Sequence, residues 1–234
     1  ITPHDRVIGH VGRLAEEKNL DYLARAMVSA AAQDPAVVCL IVGEGPAATG
    51  IDAAFAEAGL GDRLRRPGSL ALPVLADAYA AMDVFAFASH TETQGLVLAE
   101  AMTAGVPVVA LDAPGAREVV NGDNGALLAA DAAYTAFAAA LLDWAAPSAA
   151  GRRACEAALA ATAEAYALSS CVDRALGWYA ERCAAHGDRR TARRDEARET
   201  WQRSLRRVQA EWTVIRGMAR AAGKAFGPDD RLDG

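Results

Sequence analysis

The sequence predicts an α/β domain built on a doubly wound parallel sheet, continued by a helical C-terminal extension. Three observations predict it. Short runs rich in Val, Ile and Phe are apolar almost without interruption, as parallel strands covered on both faces must be. These runs alternate with Ala-rich stretches of helical pattern, the spacing of βαβ units. Polar or Gly-rich loops follow the runs, and in such sheets ligands bind beyond the carboxyl ends of the strands.

The clear strands are expected at 7–11, 37–42, 84–88 and 106–110, with weaker ones at 64–67 and 126–128. Helices are expected between them at 20–33, 51–58, 73–81, 96–104 and 116–120. From residue 131 the pattern is helical only, at 131–144, 152–165 and 168–183, with breaks at Pro147-Ser148 and His186-Gly187-Asp188. The last stretch, 189–222, reads as one long helix. Its apolar seam of Trp201, Leu205, Val208, Trp212, Ile215, Ala219 and Ala222 is spaced alternately by four and three residues. Arg203, Arg206, Arg207, Arg216 and Arg220 flank the seam. The expected organisation is therefore a body of residues 1–187 and a basic amphipathic tail of residues 188–234.

Composition narrows the class. The chain has 234 residues, a net charge of −6 and 53% hydrophobic residues, but 58 of these are Ala, so its larger apolar content is modest. No stretch free of Asp, Glu, Lys and Arg exceeds eleven residues; a membrane-spanning helix needs about 20 apolar residues, so none is expected. Residues 1–187 carry 12 basic against 22 acidic side chains and residues 188–234 carry 12 against 8, an acidic body with a basic tail. The chain opens on Ile1 without a charged-then-apolar leader, which points to a cytoplasmic protein and to a piece of a longer chain. Cys39, Cys155, Cys171 and Cys183 form no CxxC pair and stand at no ligand spacing from a His, so they read as reduced thiols.

Two pairs of residues carry chemistry. Arg13 and Lys18 lie in the loop after the first strand, before a helix that Asn19 would cap. Two cations facing a helix N-terminus suit a diphosphate, Arg as a planar fork and Lys as a compact charge; ordinary surface charge is the plainer alternative. Glu92 and Glu100 stand with seven residues between them, one in the loop after the apolar run at 84–88 and one on the helix that begins near Gly95-Leu96. That helix start offers free N–H groups and the positive end of a dipole, a site for an anion. Glu100, one turn inside, can accept from ribose hydroxyls and Glu92 can face a sugar. Equally, Glu92 can stabilise the helix start while Glu100 is a solvated surface charge.

Taken in order, the motifs Gly12-Arg13-Leu14, Glu17-Lys18-Asn19, Val42-Gly43-Glu44-Gly45-Pro46, Thr91-Glu92-Thr93-Gln94-Gly95-Leu96 through Glu100-Ala101-Met102, and Gly105-Val106-Pro107 form a specific combination. Over residues 7–128 the chain resembles the nucleotide-sugar-binding, Rossmann-like C-terminal half of GT-B retaining glycosyltransferases of family 4. The resemblance implies that Arg13 and Lys18 hold and neutralise the donor diphosphate, that Glu92 faces the donor sugar, and that Gly95 and Leu96 offer N–H groups. It implies that Glu100 binds the ribose, that Ser69 and Leu70 flank the nucleobase, and that Gly12, Gly43, Gln94 and Val97 complete the donor contacts. Retention of configuration, a nucleotide-sugar partner, no metal, no other cofactor and no nucleic acid follow from the same source.

Where the family commonly has Glu-Gly-Phe-Gly, this chain has Glu92-Thr93-Gln94-Gly95. That form resembles diacylglycerol glucosyltransferases and some polysaccharide transferases, and favours a UDP-sugar. The acceptor would be a lipid, a polysaccharide or a small molecule. The family's acceptor-binding N-terminal half, often with a catalytic His, has no counterpart here: His4, His10, His90 and His186 do not match it, and the chain alone is expected to be inactive. His10 reads as a filler beside the core, and His90 stands next to Glu92. Two other readings remain open, a non-catalytic nucleotide-sugar-binding subunit with a separate acceptor-binding partner, and a UDP-sugar 2-epimerase on the same scaffold. The tail has two as well: docking on another helix or on the missing half, or contact with the anionic inner face of a membrane.

Overall fold

The structure, a computed structural model, describes residues 1–146, 149–186 and 201–202. Six strands form one parallel sheet: β1 (Arg6–Val11), β2 (Val37–Val42), β3 (Leu64–Gly68), β4 (Val84–Phe87), β5 (Val108–Leu111) and β6 (Gly125–Leu128). Their order is β3-β2-β1-β4-β5-β6, so the chain winds outward first to one side of β1 and then to the other. The helices of this region are α1 (Leu20–Gln33), α2 (Ala48–Glu57), α3 (Val74–Ala80), α4 (Leu96–Thr103), α5 (Pro114–Val119) and α6 (Tyr134–Ala145); α7 (Ala149–Ala165) and α8 (Leu168–His186) follow.

Burial explains which strands are legible as apolar runs. β2 is buried at every position, and β4 and β5 likewise. The weak runs are the two edges, β3 and β6, where part of each strand stays exposed, so fewer apolar residues are required there. On one face, Ile8, Cys39, Ile41, Val84, Ala86, Val109 and Leu111 pack with Leu23 and Met27 of α1, Phe55 of α2, and Phe137 and Leu141 of α6. Full burial of each Val, Leu, Ile, Met or Phe side chain among them is worth about 1.5–3 kcal/mol. The intervening strand residues, Val38, Leu40, Phe85, Phe87 and Val108 among them, are also buried, and α4 lies on β4 and β5 between α3 and α5.

Boundaries differ from the pattern where backbone chemistry intervenes. β5 begins at Val108 rather than 106, because Pro107 has no N–H for the ladder and contributes only its carbonyl, which accepts from Phe85 N–H at 2.8 Å. α2 begins three residues early, at Ala48, because Ala47 N–H is already bonded to Leu14 O at 3.0 Å. Asn19 does not cap α1 with its side chain. It turns the chain in the left-handed region at φ 53, and its amide is spent elsewhere, as described below.

The chain divides into two compact units, residues 1–162 and 163–234. In the second, α8 carries exposed Leu176, Trp178 and Tyr179, with the Arg182 guanidinium 5.3 Å from the Trp178 ring. The expected tail helix lies outside the described residues except for Trp201 and Gln202, which are helical and exposed. The breaks expected at 147–148 and 187–188 lie outside them too. Among the described residues no helix is long and apolar enough to cross a membrane.

Candidate functional site

The loops after β1 and β2 are laced together by main chain. Gly12 N–H donates to Val42 O, Leu14 N–H to Glu44 O and Gly43 N–H to Gly68 O, at 2.8–3.0 Å. Gly43 has φ +136, and a Cβ there would stand 1.9 Å from Gly12 O; only glycine permits this approach. The lip of the β1 loop carries Arg13, exposed and paired with Glu17 one turn on. Ser69 follows β3 at the surface, its N–H 3.5 Å from Glu44 Oε1, and Leu70 is half-buried beside it.

Lys18 ends a short 3-10 turn, Glu16–Lys18. Its ammonium lies 3.2 Å from Glu92 Oε2 and 6.0 Å from the centre of the Phe87 ring. Asn19 then crosses to the neighbouring strand end, where its amide donates to Ala88 O at 3.2 Å and meets His90 Nε2 at 3.0 Å. Ser89 Oγ donates to Glu17 O at 3.1 Å. These three contacts clamp the loop after β1 to the loop after β4, which is why Asn19 is not free to cap.

Glu92 is the junction. Its Oε1 accepts the N–H groups of Thr93, Gln94 and Gly95 at 3.1–3.2 Å, while Oε2 holds Lys18. Burial pushes its pKa up toward the neutral form, but the hydrogen bonds from Gly95, Gln94 and Lys18 outweigh this and hold its pKa below the ordinary value. Gly95 turns the chain at φ +64 into α4, and a Cβ there would meet Gly115 O at 2.7 Å. The N–H groups of Leu96 and Val97 find no acceptor among the described residues. Gln94 and the side chain of Leu96 are exposed and Val97 is half-buried.

Glu100 is not a solvated surface charge. It is half-buried, and its Oε2 accepts from the Tyr79 hydroxyl at 2.8 Å. Burial raises its pKa and the Tyr79 hydrogen bond opposes the rise. Tyr79 is the residue that sequence patterning missed. It fits the apolar face of α3, and nothing in the pattern shows where its hydroxyl goes.

His10 is fully buried, with Nδ1 3.0 Å from Ala86 O and its ring stacked on Phe85. Its Nε2 has no partner among the described residues. Burial first, and the nearby Lys18 charge, lower its pKa to about 4 against the Ala86 hydrogen bond, so the ring is neutral. Among the described residues, no three His, Cys, Asp or Glu side chains are grouped to hold a metal ion.

The cations Arg13 and Lys18, the open N–H groups at the start of α4 and the half-buried Glu100 thus belong to the ends of the paired central strands and the helix after them. Cations and helix-terminal N–H groups attract anions, and a fixed carboxylate accepts hydroxyls. Residues 5–146 match the family model described as Glycosyl transferases group 1. The chain belongs to this family. Among its curated relatives in the family, a 2-deoxystreptamine glucosyltransferase of Streptomyces kanamyceticus is 38% identical over 53% of this chain and 32% of its own length. A GDP-mannose-dependent alpha-mannosyltransferase of Mycobacterium tuberculosis is 37% identical over 52% of this chain and 29% of its own length. The match therefore covers about a third or less of these relatives. Anabaena HepE, solved with UDP, superposes with a TM-score of 0.66 at 26% identity, over 76% of this chain and 49% of that one. The fold is that of the Rossmann-like halves of GT-B glycosyltransferases.

Proposed function

We propose that this chain is the donor-binding half of a glycosyltransferase that moves a sugar, with retention, from a nucleoside diphosphate sugar to an acceptor held by a separate N-terminal half. The observation that carries the reading is the meeting of Lys18, Glu92 and the α4 N-terminus at one sheet edge, with Glu100 on the same helix. Arg13 and Lys18 take the diphosphate, assisted by Leu96 and Val97 N–H, with Gly12 and Gly43 as its main-chain floor. Ser69 and Leu70 flank the base, Glu100 takes the ribose, and Gln94 lines the donor. Glu92 faces the sugar through Oε2, the oxygen that here holds Lys18.

The chemistry follows from charge. When the bond between the anomeric carbon and phosphate oxygen breaks, its electrons pass to the diphosphate. Fixed cations and N–H dipoles stabilise that developing charge more than the ground state. The acceptor hydroxyl attacks from the same face and its proton passes to the departing phosphate oxygen, so no protein nucleophile and no metal are required. A UDP-sugar is favoured by the Glu92-Thr93-Gln94-Gly95 sequence and by the UDP named in the HepE structure. A cytoplasmic setting fits such donors.

The test is calorimetry of the full chain with UDP and GDP. Binding of one or both is expected, weakened about 10- to 100-fold in Lys18→Ala, the loss of one charge-assisted contact. No binding of either nucleotide by the unaltered chain would refute the reading.

A further inference from the structure

We propose that Tyr79 is a positioning residue for Glu100, fixing which carboxylate oxygen faces the cleft and thereby setting the preference for a ribose over a sugar that lacks its hydroxyls. The inference rests on the ribose-binding reading of Glu100 given above. Four observations carry it. Tyr79 is 4% exposed on α3, and its ring lies 5.9 Å from that of Phe85, so packing holds it in place. Burial and the adjacent Glu100 charge both keep the phenol protonated, so it is a donor. Its hydroxyl takes Oε2 of Glu100 at 2.8 Å. Glu100 Oε1 makes no hydrogen bond among the described residues and reaches solvent.

A carboxylate on a three-torsion side chain is a loose tool. With one oxygen tied to a donor on a neighbouring helix, rotation of the group is stopped, and the other oxygen is presented in one direction at no further entropic cost on binding. The tie also keeps the half-buried group ionised, the stronger acceptor state. Tyr79 touches neither nucleotide nor sugar in this account. It acts only through Glu100.

The experiment compares UDP with 2′,3′-dideoxy-UDP, by calorimetry on the full chain and its variants. The unaltered chain is expected to prefer UDP. In Tyr79→Phe, which keeps the ring, UDP affinity should fall about tenfold, one hydrogen bond to a charged group, while dideoxy-UDP affinity stays the same, so the preference collapses. An unchanged preference in Tyr79→Phe overturns the inference. In case a lone carboxylate keeps that variant from folding, Glu100→Ala is compared with Tyr79→Phe/Glu100→Ala, since alanine leaves Tyr79 no side chain to position. Equal UDP affinity in the two supports action through Glu100, and a further loss in the double variant overturns it. An unaltered chain that binds UDP and dideoxy-UDP equally also overturns it, leaving nucleotide binding intact. A chain that binds neither UDP nor GDP refutes the functional reading instead.

Discussion

At the scale of single residues, the buried His10 ties stability to pH. Its folded pKa of about 4 lies below the ordinary value of 6.5. Between those values the unfolded chain takes up a proton that the folded chain refuses, so stability is full above pH 6.5 and falls as pH drops toward 4. The whole effect is about 3 kcal/mol. Urea unfolding at pH 7 and pH 4.5 should show a smaller loss for His10→Phe, which keeps an aromatic ring against Phe85, than for the unaltered chain. The sequence names Lys18, Glu92 and Glu100 as candidates from loop position and helix spacing alone. It does not show their partners. Lys18 and Glu92 are 74 positions apart, and Asn19 reads as a cap because local propensity cannot see the Ala88 carbonyl waiting across the sheet edge. Side-chain partners of this kind are set by the fold, not by neighbours in sequence.

At the scale of elements, the strands most easily read are those buried on both faces, and the least easily read are the edges. The loops are a different matter. Gly12, Gly43 and Gly95 are visible as glycines, but the reason for Gly43, a carbonyl 1.9 Å from where a Cβ would sit, is visible only once the two loops are laced. Gly43→Ala combines a forbidden φ with a main-chain collision and should cost at least about 3 kcal/mol. Gly59→Ala is the control. It has φ +70 with no atom within 4 Å of the added carbon, so it should cost only the strain of the left-handed region, about 1–2 kcal/mol. Similar losses for the two in urea titration would mean that the interlock of loops does not bear on stability.

At the scale of the whole molecule, the alternation of apolar runs and helices foretells a doubly wound parallel sheet and the edge on which a ligand binds, while the order β3-β2-β1-β4-β5-β6 is set by long-range strand pairing that the alternation does not encode. A nucleotide that binds only the folded chain must stabilise it. At 100 times its dissociation constant, UDP should add about 2.7 kcal/mol, seen as a rise in Tm that Lys18→Ala reduces. The interlaced loops have one more consequence, for how such a site can diversify. Gly12 and Gly43 meet the cleft as main chain, and main chain carries no alphabet. Substitutions that retune which donor is accepted have to be drawn from the rim, where Ser69, Gln94 and Leu96 stand exposed. A library randomised at those three positions can explore new donors without disturbing the fold, whereas every side chain introduced at Gly43 meets the Gly12 carbonyl.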